Sequence, residues 1–122
     1  MTGLRVEIFP HDLDETVRFY GTVLGFRLVR DERTAPTAYV ALQRGDVRVG
    51  AARRPPSDPA GRRPPTGVEL VLEVDDLIAC RERVREQGWP IEEDLTDRPW
   101  GLRDFRLLDP SGYYWRITEP ER

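Results

Sequence analysis

Few side chains in this 122-residue sequence are equipped for chemistry, and their types narrow what that chemistry could be. There is one His, His11, and one Cys, Cys80. A transition-metal centre needs several imidazole or thiolate ligands at fixed spacing, so little material for one is present. His11 follows Pro10 in a strand-to-helix turn and reads as a turn residue rather than a base. Cys80 shares a helix face with Leu77 and Val84, which implies a buried, inert thiol. Glu7 and Glu73 fall on matching strand registers and would suit acid–base work if brought together, yet near strand ends they read equally well as solvated. Trp100 stands between Pro99 and Gly101 in a loop, where an indole ring can overhang a pocket or simply close a barrel mouth.

The elements that must position these residues follow from periodicity. Leu4 to Phe9 alternates with period two, placing Arg5, Glu7 and Phe9 on one face and Val6 and Ile8 on the other. Asp12-Leu13-Asp14-Glu15 has the form of a capping box. The helix after it carries Leu13, Val17, Phe19, Tyr20, Val23 and Leu24 and ends at Gly25. Short strands are expected over 26–29, 37–42 and 47–51, the last two joined by the hairpin turn Gln43-Arg44-Gly45-Asp46. Residues 53–66 hold five Pro, four Arg and a Gly, and read as a solvated linker without regular structure. The pattern then restarts. Val68, Leu70, Leu72 and Val74 alternate, Asp75 or Asp76 caps a second helix, Gly88 ends it, and a short strand lies within 89–95. The chain closes on a ribbon: Leu102 to Leu108, the turn Asp109-Pro110-Ser111-Gly112, then Tyr113 to Thr118.

Each half therefore reads strand, helix, three strands, which makes an internal repeat. The fold class is α+β, two tandem βαβββ modules over 1–52 and 67–122 within one domain of 1–122. Each module's sheet has one face covered by its helix, and pairing of the two bare faces would create a shared cleft. Charged residues make up 34% of the chain but nearly cancel to −3, so no nucleic-acid partner is implied. No apolar run approaches the roughly 18 residues that span a membrane. A single Cys forbids an internal disulfide and makes the cytoplasm the default location.

Three features together carry a family resemblance: the repeat, the phrase from Asp12-Leu13 through Phe19-Tyr20 to Leu24-Gly25-Phe26, and the phrase Pro99-Trp100-Gly101 with Asp109-Pro110-Ser111-Gly112. They resemble the vicinal oxygen chelate superfamily of glyoxalase I, extradiol dioxygenases, fosfomycin resistance enzymes and bleomycin resistance proteins, and look most like the bleomycin-resistance branch. The resemblance implies a homodimer in which modules of different chains can share a cleft. It also implies metal-ligand positions on the first and last strands of each half. Carried onto this sequence, those positions hold Arg5, Val49, Glu69 and Arg116, with the register at Val49 uncertain by one residue. Arginine stays protonated and has no lone pair to donate, and one Glu does not make a site, so neither a metal nor another cofactor is expected.

By the same pairing Arg5, Glu69 and Arg116 would converge. Two readings are open: a salt-bridge cluster that replaces the metal, or a pocket with one Arg left over for an anionic ligand. Phe9, Tyr39, Trp100 and Tyr114 are the aromatic candidates for the cleft, whereas Trp115, Phe19, Tyr20 and Phe105 belong to the core. The function expected is non-catalytic binding of a small, partly aromatic molecule, antibiotic sequestration being the concrete version. The alternatives are a lyase, isomerase or dioxygenase with a metal on non-standard ligands, metal-free acid–base catalysis, and a structural dimer plugged by its own ion pairs.

Overall fold

A computed structural model describes residues 2–120 and shows two compact units that divide after Ser57. The two repeat the same order of elements, as the α+β reading with two βαβββ modules requires.

The first unit runs β1 (Val6–Ile8), α1 (Leu13–Arg18), a π-helical turn (Phe19–Val23), β2 (Arg27–Glu32), β3 (Tyr39–Arg44) and β4 (Val47–Ala52). Its sheet has the order β1-β4-β3-β2, with β1 parallel to β4 and the other pairs antiparallel. Asp12 caps α1, its carboxylate accepting from the Glu15 N–H at 3.1 Å. The helix does not stay α-helical to its end. It widens at Phe19, and the Phe26 N–H reaches back to the Tyr20 carbonyl at 2.8 Å. Gly25 has φ of 74°, which lets the chain turn out of the helix into β2. Phe19, Tyr20 and Phe26 are buried, Tyr20 meeting each of the other two edge-on. The polar turn expected after residue 30 starts later, because Asp31 and Glu32 still pair with β3.

The second unit runs through a 3-10 turn (Pro59–Arg62), β5 (Glu69–Glu73), α2 (Leu77–Glu86), β6 (Glu93–Asp97), β7 (Arg103–Leu108) and β8 (Tyr114–Thr118). The sheet order β5-β8-β7-β6 repeats that of the first unit. Asp76 caps α2 by accepting from the Ala79 N–H at 3.0 Å. Leu77 and Val84 are buried, but Cys80 is only half-buried, which corrects the expectation of a buried thiol: it lies at the margin of the stripe. In the β7–β8 turn the Asp109 carboxylate accepts from the N–H groups of Ser111 and Tyr113, both at 2.9 Å, and Gly112 takes φ of 85°.

The segment 53–66 is not without structure. Its backbone stays on the first unit through Arg53 and Arg54, whose N–H groups bond to the carbonyls of Ala38 and Pro10. Asp58 then caps the 3-10 turn by accepting from the Ala60 N–H at 3.0 Å. Pro59 sits where a Cβ on Gly112 would go. Arg62 donates to the Ser111 carbonyl and stacks over the Tyr113 ring at 4.2 Å. These contacts are side chain on turn, which composition does not reveal.

In each unit strand alternation sorts the sheet into a buried face and an open one. Ile8, Val40, Leu42, Val49 and Ala51 fill the buried face of the first; Leu72, Phe105, Leu107, Trp115 and Ile117 fill that of the second. No helix among the described residues is long and apolar enough to cross a membrane.

Candidate functional site

The open faces carry the polar side chains and the candidate site residues. On the first unit, the register pairs Glu7 with Gly50, Gly50 with Ala41, and Tyr39 with both Ala52 and Glu32. Partners in a register share a face, so Glu7, Tyr39, Glu32 and Arg48 project to the same side, joined by Arg5 and Phe9 from the ends of β1. They line a cavity of about 510 Å³ together with Arg30 and Thr37. At its floor the Tyr39 hydroxyl donates to both oxygens of Glu7, at 3.0 and 3.1 Å. Burial, then the hydrogen bond to Glu7, pushes the Tyr39 phenol above its ordinary range, so it remains a donor at neutral pH. Arg5 pairs with Glu7 at 3.2 Å and Arg30 with Glu32 at 3.1 Å, while Arg30 also lies over the Tyr39 ring at 5.7 Å. Phe9 is 44% exposed and carries Arg54 over its ring at 5.6 Å.

Val49 is corrected. It is fully buried on the other face, and the open-face partner of β1 is Gly50. A Cβ at Gly50 would collide with the Tyr39 hydroxyl and the Glu7 carboxylate. The glycine is therefore required by the Glu7–Tyr39 pair that lies across it.

On the second unit, Glu69, Tyr114, Arg116, Arg106, Asp104 and Glu93 share the open face. Arg116 Nε lies 2.9 Å from Glu69 Oε1. The buried N–H is not aimed at that oxygen and meets no other acceptor among the described residues, so the contact is an ion pair. Beside it Asp104, fully buried, holds Arg98 through Nε and Nη2 at 2.8–3.1 Å and Arg106 at 3.4 Å. Arg98 continues to Glu93 at 2.9 Å. Tyr114, 7% exposed, receives the Arg106 guanidinium at 3.4 Å and lies beneath Arg63 at 5.7 Å. Trp100 is 58% exposed, with the Arg116 guanidinium over its ring at 5.8 Å.

Glu69 and Arg116 are thus brought together as expected. Arg5 belongs to the first unit and pairs there with Glu7. The sequence reading missed Arg30, Arg48 and Glu32 on one face and Arg98, Asp104 and Arg106 on the other. Their only sequence signal is strand alternation, and bulges in β2 and β6 shift that register midway. Trp115 is buried as expected.

At the positions where metal-using relatives place ligands, the side chains are two guanidinium groups, one carboxylate already paired with Arg116, and a glycine. That donor set does not fit a divalent cation. Among the described residues no three His, Cys, Asp or Glu side chains are grouped to hold one.

No curated protein matches the chain. Among solved structures it is similar to TioX from Micromonospora sp. ML1, at 25% identity over 98% of both chains with a TM-score of 0.79. A bleomycin resistance determinant encoded on the transposon Tn5 is likewise 25% identical, over 100% of both chains, with a TM-score of 0.79. A bleomycin-binding protein complexed with bleomycin is 25% identical over 99% of this chain and 100% of its own, with a TM-score of 0.77. The sequence profile of one family matches residues 4–117. The chain belongs to the Glyoxalase/Bleomycin resistance protein/Dioxygenase superfamily.

Proposed function

We propose that the chain is a non-catalytic binding protein that sequesters a small, partly aromatic molecule, such as an antibiotic or aromatic natural product, without a metal. The observation that carries this reading is the Trp100–Arg116 stack: an indole 58% exposed on a loop, backed by a guanidinium that Glu69 pairs at 2.9 Å. An exposed indole with a guanidinium over its ring offers a flat apolar platform beside a fixed positive charge. The donor set at the ligand positions supports binding without metal chemistry. The likeness to a bleomycin-binding protein supports a small-molecule ligand. Homodimerisation, in the cytoplasm, is part of the same reading.

Tryptophan emission tests it. Trp115 is buried and the half-buried Trp89 is tied by its indole N–H to the Leu108 carbonyl at 2.8 Å, so the quenching that is lost in a Trp100 variant reports on Trp100. Trp100→Ala should remove most of the response and weaken binding by about 1–2 kcal/mol while leaving the fold intact. A stoichiometric divalent ion in the purified protein, or conversion of the bound compound, would overturn the reading. Sedimentation at two concentrations checks the dimer.

A further inference from the structure

The cavity on the first unit has a charge imbalance that its own ion pairs leave over. Three guanidinium groups line it, from Arg5, Arg30 and Arg48, against two carboxylates, Glu7 and Glu32. Both carboxylates are committed. Glu7 accepts from Tyr39 and pairs with Arg5; Glu32 pairs with Arg30 and accepts from Thr37 at 3.3 Å. Arg48 has no hydrogen bond or ion pair from its side chain to any described residue, and it is half-buried where it lines the cavity. Its neighbour is also a cation. Val49 is the register partner of Val6, so Arg48 and Arg5 occupy adjacent positions on the parallel strands β4 and β1. Like charges side by side on one sheet face repel unless an anion lies between them. The second unit shows the contrast, since Glu69, Glu93 and Asp104 there offset Arg98, Arg106 and Arg116.

The rest of the cavity says what the anion is attached to. Glu7 holds the Tyr39 hydroxyl while Arg30 lies over its ring, and Phe9, 44% exposed with Arg54 over its ring, also lines the cavity. About 510 Å³ is the size of a pocket for a drug-sized organic molecule, larger than an inorganic ion needs. We propose that the first-unit cavity is a binding site for an organic carboxylate with a planar ring, its carboxylate held by Arg48 and Arg5 and its ring laid against Tyr39 and Phe9. Arginine suits this pairing because its planar fork meets both oxygens of a carboxylate. This deepens the binding-protein reading and rests on it for the premise that the chain holds a ligand at all.

The test compares three compounds with one ring and three charges: naphthoate, naphthalenemethanol and naphthylmethylamine. Each is titrated into the 15N-labelled full chain, with affinities read from backbone amide shifts. Naphthoate should bind tightest, the amine weakest, and the shifts should fall on β1, β3 and β4. Added salt should weaken naphthoate alone. Arg48→Gln should weaken naphthoate about tenfold and leave the alcohol unchanged, because only the charge-assisted contact is removed. Glu32→Gln frees Arg30 and should tighten naphthoate about threefold, a gain that damage to the fold cannot produce. The proposal is overturned if none of the three binds, if acid and amine bind alike, if Arg48→Gln leaves the acid-to-alcohol ratio intact, or if Glu32→Gln weakens the acid. Failure of the binding-protein reading looks different: a stoichiometric metal or consumption of compound, neither of which alters that ratio.

Discussion

Gly50 is the sharpest place to perturb the chain, because what opposes a side chain there is polar and identified. Glycine to alanine in a strand ordinarily stabilises by about 0.5–1 kcal/mol, since glycine loses more freedom on folding. At Gly50 the new Cβ meets the Tyr39 hydroxyl and the Glu7 carboxylate, the ends of two side chains, so they rotate away and the backbone stays. What is lost is the hydrogen bond from Tyr39 to Glu7. A bond to a charged acceptor contributes about 1.5–3 kcal/mol, and the lower figure applies because the Glu7 side chain is 32% exposed. Set against the backbone gain, Gly50→Ala should cost about 0.5–1 kcal/mol, or about 2–4 °C in Tm for a chain of this size. The spectroscopic mark is more specific. Burial and Glu7 together raise the Tyr39 phenol, so folding favours its protonated form. That contribution is complete below the ordinary tyrosine value of about 10 and is lost as pH rises through the higher folded value. In Gly50→Ala the phenol should titrate lower in ultraviolet absorbance, and the alkaline fall in Tm should be shallower. A variant as stable as the parent with an unchanged phenol titration would refute the account of Gly50.

Two further perturbations separate the buried charges from the exposed ones. Asp104→Ala removes the carboxylate that Arg98 and Arg106 share, leaving Arg98 to Glu93 and Arg106 to Tyr114 and Glu69, and should cost about 3 kcal/mol in denaturant unfolding. The Arg81 guanidinium forks onto Asp94 at 2.6 and 2.8 Å and, with the Leu95 N–H, holds that carboxyl below the usual aspartate range. Its contribution is present above about pH 3.9 and is lost as pH falls below that, so Asp94→Asn should flatten the acid limb of a Tm–pH profile, less so in high salt.

The repeat was legible because its signals are local. Asp12 and Asp76 cap helices, Gly25 and Gly88 end them at φ of 74° and 70°, and Asp109 to Gly112 makes the turn its residue types demand. The pairing of Glu69 with Arg116 followed from family positions plus alternation. Val49 failed for a countable reason. Counting from the turn glycine assumed equal hairpins, but Gly45 opens a two-residue turn between Arg44 and Val47, whereas Gly112 lies inside the five-residue connection from Leu108 to Tyr114. One position of slip moves a side chain to the other face of a sheet. The cluster of Arg98, Asp104 and Arg106 was not legible, since Asp104 and Arg106 lie on β7 while Arg98 reaches them from the loop after β6, and only packing decides which of 22 acidic and 19 basic residues become partners.

The anchored course of residues 53–66 bears on how long the chain survives proteases. Its arginines and prolines read as an open target for trypsin-like enzymes. Two of the four basic sites, Arg54 and Arg63, precede proline, a bond such enzymes cut poorly. At the other two the backbone or side chain is held: Arg53 by the Ala38 carbonyl, Arg62 by Ser111 and Tyr113. Cleavage there needs local opening first, so the half-life of the Arg62 site tracks the stability of the β7–β8 turn on which Arg62 sits. A change at Gly112, where Pro59 leaves no room for a side chain, would then shorten the life of a peptide bond fifty residues away in sequence, on the order of the 49 that separate Arg62 from Ser111.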